Sequence, residues 1–110
     1  ALREINRVLT DDGYAIFTVP QKDDLKITIE EKEVLSSKER TLLFGQWDHR
    51  RLFGEDFKQF LLDNKYKVTE ISSKNFRLEQ VSWNGLKPEK NSLNPLATNE
   101  RKIYFCKKVN

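Results

Sequence analysis

The sequence predicts an α/β fold. An amphipathic opening stretch runs through a glycine turn into an apolar strand. A second helix-to-strand passage occupies the middle of the chain, and a β-rich segment closes it. In residues 1–9, Leu2, Ile5, Val8 and Leu9 form one stripe at helical spacing, with Arg3, Glu4 and Arg7 off it. Thr10-Asp11-Asp12-Gly13 supplies the stop, Gly13 being expected at positive φ. Tyr14-Ala15-Ile16-Phe17-Thr18-Val19 then runs nearly without polar interruption to Pro20, the pattern of a strand buried on both faces. Helix, turn and buried strand make the second half of a βαβ unit.

Residues 21–35 are charged and weakly patterned, and fit a strand or a loop over a site equally well. Ser36 and Glu39 have capping-box spacing ahead of Leu42, Leu43 and Phe44, which predicts a short helix ended by Gly45. The stretch between Gly45 and Gly54 reads as a loop. Phe57, Phe60 and Leu61 restore helical register from Glu55, with acids at the N-terminal end, and Asn64-Lys65 is the exit. Tyr66, Val68 and Ile71 fit a strand over 66–72, and residues 102–109 fit another. Between them, Phe76, Leu78, Val81 and Trp83 indicate partial order, and residues 87–100 read as an exposed loop.

Composition narrows the function classes. The 110 residues suffice for one compact domain or a large piece of one, and twelve aromatics argue against disorder. The net charge of +3 is small and its members are interleaved with acids, as at 30–33 and 38–41. That is a solvated mixed-charge surface rather than a nucleic-acid footprint. No apolar run reaches membrane-spanning length, and no signal-peptide pattern opens the chain. The single Cys106 has no internal disulfide partner and is expected to be a small buried hydrophobe, and the predicted compartment is the cytosol. A zinc site on His49 and Cys106 lacks two further ligands.

Three blocks resemble a known family. Residues 1–20, ALREINRVLTDDGYAIFTVP, resemble the segment of class I S-adenosylmethionine-dependent methyltransferases in which a helix ending REI-x-RVL leads into an apolar strand ending in VP. Residues 39–68 are similar to the type 11-like branch, whose pattern runs R-x-x-x-FGQ-x-DHVR-x-YG-x-DF before a helix and a GF-x-V strand. The terminal KIYFCKK resembles the closing E-I-Y-x-C-x-K strand. The departures are Asp11-Asp12-Gly13 for proline-glycine-glycine, Arg50 within DHVR, Phe53-Gly54 for YG, and Lys65-Tyr66 where glycine-phenylalanine is common.

The resemblance implies a partial Rossmann-like methyltransferase fold over residues 1–110, the C-terminal portion of one domain. It would comprise strands five, seven and six with flanking helices, the last strand antiparallel and lying between the other two. The N-terminal half that holds the cofactor would be absent, since the four glycines at 13, 45, 54 and 85 form no G-x-G pair. S-adenosylmethionine would then be bound by the intact parent, and this chain alone would be catalytically silent. Strand five would lose its neighbour, so self-association through residues 14–19 is expected. In the family the segments after strand five cover the substrate pocket, which directs attention to Gln46-Trp47-Asp48-His49-Arg50. His49 could serve as the base that accepts a proton from a small-molecule methyl acceptor, with Asp48 beside it, or both could tie the loop to the domain. Gln46 could bind substrate or cap the preceding helix, and Arg50 could clamp an anionic group or pair with a structural carboxylate. Trp47 and Trp83 could wall a pocket or pack as core or lid. The alternative function is a non-catalytic interaction module whose DHRR loop binds an acidic partner.

Overall fold

A computed structural model describes residues 1–30, 36–84 and 102–109. The chain is a mixed α/β protein built on a small antiparallel sheet. Its elements are α1 (Leu2–Val8), β1 (Tyr14–Phe17), β2 (Ile29–Glu30), α2 (Ser37–Phe44), β3 (Arg51–Leu52), α3 (Phe57–Asp63), β4 (Tyr66–Ile71), α4 (Leu78–Trp83) and β5 (Ile103–Lys108). A 3₁₀ turn, Ser73–Asn75, follows β4. Among the described residues no helix is long and apolar enough to cross a membrane.

β5 lies between β1 and β4 and is antiparallel to both. Cys106 is the hub of the register, opposite Ala15 on one side and Val68 on the other. Side chains alternate across a sheet, so Ala15, Phe17, Tyr66, Val68, Tyr104 and Cys106 share one face. The core forms on that face. Phe57 and Leu61 of α3 pack with Tyr66, Tyr104 and Cys106, and Leu2, Leu9, Phe17, Phe53 and Val68 close around them. Phe57 meets Tyr104 edge-on at 5.0 Å and Phe53 at 4.9 Å. Removing Leu61, fully buried, would leave a cavity costing about 2–5 kcal/mol.

α1 is too short to be stable alone. It is tied down by Tyr66 Oη donating to Leu2 O (2.7 Å), by Asn6 Nδ2 donating to the carbonyls of Asn64 and Lys65, and by Lys108 Nζ donating to Leu9 O. Half of the α2 capping box forms: Ser36 Oγ accepts from the Glu39 amide, whereas Glu39 Oε1 accepts from the Ser36 hydroxyl and not from its amide, and Gly45 at φ 86° ends the helix.

The structure corrects several sequence expectations. β1 is not buried on both faces: Tyr14 is 59% and Ile16 58% exposed, because among the described residues only one face of β1 is packed. Gly13 is not at positive φ; a side chain there would crowd Thr10 Oγ1 at 2.8 Å. Phe60 is partly exposed, leaving Phe57 and Leu61 as the anchors of α3. Trp47 and Trp83 pack in no core, being 60% and 91% exposed. Residues 21–30 resolve into a bridge from Gln21 to Phe53 followed by β2, which pairs with β3. The remainder of the expected strand-or-loop segment (31–35) and the whole of the expected exposed loop (87–100) lie outside the described residues.

Candidate functional site

The segment from Gly45 to Phe57 divides at Leu52. On its C-terminal side, every motif residue is consumed by packing. Leu52 is buried, and the Phe53 backbone bonds to both sides of Gln21, its amide donating to Pro20 O and its carbonyl accepting from the Lys22 amide. Gly54 has no room for a side chain, since a Cβ would stand 2.5 Å from Leu25 O and 3.0 Å from the Ile27 backbone. The close approach allows the Glu55 amide to donate to Leu25 O at 2.6 Å. Asp56 completes the clasp: its carboxylate accepts from the Thr28 amide (3.0 and 3.1 Å) and from Thr28 Oγ1 (2.6 Å). Thr28 Oγ1 in turn accepts from the Gly54 amide. Asp56 stands at the N-cap of α3, yet its side chain holds the loop instead of capping.

A buried polar bridge supports this clasp. Gln21 is 5% exposed, donates through Nε2 to Gly54 O (2.9 Å) and accepts from Tyr104 Oη (2.9 Å). It links the loop, the clasp and the central strand. Burial raises the Tyr104 hydroxyl pKa, the bond to Gln21 opposing. Burial also holds the Cys106 thiol up at about 11, which suits a core side chain and not a nucleophile.

On the N-terminal side of the division every residue but His49 is exposed. Gln46 O accepts from the His49 amide (3.1 Å), closing a tight turn, and Gln46 Nε2 donates to Asp48 Oδ1 (2.7 Å). The structure thus gives the Asp48 carboxylate to Gln46, and no hydrogen bond joins Asp48 to His49. Nor does Gln46 cap α2 through its side chain. His49 is half-buried, with Nδ1 enclosed and without a hydrogen-bond partner, as is Arg40 Nε on α2. His49 Nδ1 is thus closed to a molecule arriving from solvent. Arg50 is exposed and makes no ion pair with a described residue; the neighbouring Arg51 pairs with Glu30 across β2 and β3 at 2.7 Å.

The turn therefore brings Gln46, Asp48 and His49 together through backbone and side-chain bonds, with Trp47 and Arg50 projecting from it. It has the groups for substrate contact but no assembled base-and-orienter pair. A shallow groove of about 520 Å³ opens elsewhere, beside α1 and the end of α3, where Arg3, Arg7 and Lys65 face Glu4 and Asp63. Its mixed charge favours neither an anion nor a cation.

Sequence reading did not single out Gln21, Thr28 or Asp56. The first two lie in the segment with no clear periodicity, where only the long-range partners Gly54, Asp56 and Tyr104 give them meaning. Comparison of the chain with protein-family models, with curated proteins and with solved structures finds no match.

Proposed function

We propose that this chain is the substrate-side C-terminal portion of a class I S-adenosylmethionine-dependent methyltransferase acting on a small-molecule acceptor. The observation that carries the reading is the strand order β1-β5-β4, with the last strand inserted antiparallel between the two earlier ones. That is the order the three resembling blocks imply for strands five, seven and six. Lys65 lends independent support. It stands where the family pattern has glycine, and its φ of 64° is the left-handed conformation that glycine favours.

The described residues do not fit the cofactor. Neither crowded glycine turn is an open cradle: Gly13 is filled by Thr10 and Gly54 by the Leu25–Ile27 backbone. Beyond the end of β1, Gln21 is committed to Gly54 and Tyr104. What this chain's own residues supply is the exposed Gln46–Arg50 turn, in which Trp47, Arg50 and His49 Nε2 would meet the acceptor and Gln46 would fix Asp48. A cytosolic location accompanies this reading, as the lone buried thiol fits a reducing compartment.

The second reading, a non-catalytic interaction module, draws on the exposure of Trp47 and Arg50, which suits a protein partner as well as a substrate. Calorimetric titration of S-adenosylmethionine into the full translation product of the parent gene separates the two. The methyltransferase reading expects saturable binding by that product and none by residues 1–110. Absence of binding by the full product transfers the function to the module.

A further inference from the structure

We infer that the neutral imidazole of His49 carries its proton on Nε2, so that the turn meets its ligand with a hydrogen-bond donor rather than a base and suits a carboxylate. His49 Nδ1 is enclosed and makes no hydrogen bond among the described residues. Imidazole has two neutral forms, and the partners open to each ring nitrogen decide between them. A proton on Nδ1 would be a buried donor with nothing to receive it, the rarest kind of unpaired polar group. An unshared lone pair there costs less.

The turn reserves no acceptor for Nδ1. Gln46 O accepts from the His49 amide, and Asp48 Oδ1 accepts from Gln46 Nε2. Behind a histidine base, a carboxylate holds Nδ1–H and fixes the tautomer that leaves Nε2 free to take a proton. Asp48 adjoins His49 in sequence but does not take that place, so nothing selects the base form. An acceptor that must lose a proton to react therefore finds no base in this turn.

Nε2 is the open nitrogen. It has no hydrogen-bond partner, and Nδ1 is the one unpartnered nitrogen of His49 that is closed to solvent. Arg50, next in the chain, is exposed and pairs with no described acid, whereas the charge of Arg51 is met by Glu30. Trp47, 60% exposed, adds an indole N–H that can only donate. Donors therefore dominate what the turn leaves open, and its one anion, Asp48, is engaged by Gln46. A carboxylate complements that set best, because hydrogen bonds to an ionised acceptor are roughly twice as strong as neutral ones. Naming the ligand a methyl acceptor rests on the methyltransferase reading; the tautomer and the carboxylate preference do not.

Nitrogen-15 spectra of residues 1–110 test the tautomer, and His49 is the one histidine of the chain, so its ring signals are unambiguous. At about pH 8, where ordinary imidazoles are neutral, Nε2 should show the shift of a protonated nitrogen and Nδ1 that of a bare one. The Nε2–H form should exceed the other by about tenfold or more. Equal populations, or a majority of Nδ1–H, overturn the inference. Acetate, the simplest carboxylate, should move the Nε2 signal saturably and leave Nδ1 in place, whereas chloride at equal ionic strength should not. His49→Gln keeps a side-chain N–H donor and should retain acetate binding within about threefold, read at the Arg50 amide; His49→Leu should weaken it about tenfold. An acetate response that does not saturate, or equal weakening by both substitutions, overturns the carboxylate assignment. If His49→Leu loses its circular-dichroism signal, the wild-type titration and His49→Gln decide. Absence of S-adenosylmethionine binding by the parent would remove the methyltransferase reading and leave these results standing.

Discussion

The two halves of the segment Gln46–Phe57 carry equally distinctive residues and use them in opposite ways. From Leu52 to Phe57 the side chains and amides are spent on the molecule itself, through the Gly54 close approach, the Asp56–Thr28 clasp and the edge-on contacts of Phe57 with Phe53 and Tyr104. From Gln46 to Arg50 they bond chiefly to one another or to nothing, and Trp47 stands in solvent. A run of unusual residues therefore need not be one site. Here one half explains why the other is held in place.

The largest expected effect is at the clasp's closest point. Gly54→Ala forces a methyl group against the Leu25 carbonyl and should cost about 3 kcal/mol or more, read by urea unfolding. A loss below about 1 kcal/mol would mean that residues 25–28 can withdraw without penalty. The two aspartates give a sharper contrast within one experiment. Asp56→Ala removes a carboxylate that accepts from an amide and a hydroxyl, and should cost about 2 kcal/mol. Asp48→Ala loses a single exposed bond to Gln46 and should stay within about 0.5 kcal/mol. Equal effects would erase the distinction between the halves.

Alkaline pH acts on the sheet rather than the turn. Burial raises the thiol of Cys106 from 9.0 to about 11 and also raises the hydroxyls of Tyr66 and Tyr104. Lys102 loses to burial but gains more from its hydrogen bond and ion pair with Glu70, so its pKa rises too. Each group binds its proton more tightly folded than unfolded, so the stability it contributes is complete below the unfolded value and lost as pH rises through the folded one. Unfolding free energy should fall from about pH 9 upward, and Cys106→Ala should remove up to about 2 kcal/mol of that fall between pH 9 and 11. An unchanged slope in the variant would assign the alkaline loss to other groups.

The smallest effect has the opposite sign. Lys65→Gly relieves a left-handed φ of 64° and should stabilise the chain by about 1 kcal/mol, part of it offset by the more flexible unfolded chain. Destabilisation would show that the Lys65 side chain contributes more than its backbone strain costs.

Much of this architecture was legible in local pattern. The helix positions, the Ser36 N-cap, the Gly45 stop and the strands at 66–72 and 102–109 all depend on neighbours a few residues apart, although Ile5 and Val8 of the α1 stripe are exposed. What failed depended on distance. An apolar run like Tyr14–Val19 reads as doubly buried unless one knows that, among the described residues, only one face of β1 is covered, and Gln21 has no meaning until Gly54 and Tyr104 are beside it. The candidate site was legible as a composition, Gln46 to Arg50, but not as a geometry. Asp48 adjoins His49 in sequence and bonds Gln46 in space.

Amide hydrogen exchange across residues 45–57 tests the division between architecture and exposed turn most directly. Phe53, Glu55 and Asp56 donate to the carbonyls of Pro20, Leu25 and Lys26, and Gly54 donates to Thr28 Oγ1. Their amides should exchange at least ~100-fold more slowly than those of Gln46–Asp48 and Arg50, because opening them requires releasing the clasp. Uniform protection from Gln46 to Asp56 would contradict the account, making the whole segment a single structural unit with no part of it free to meet a substrate.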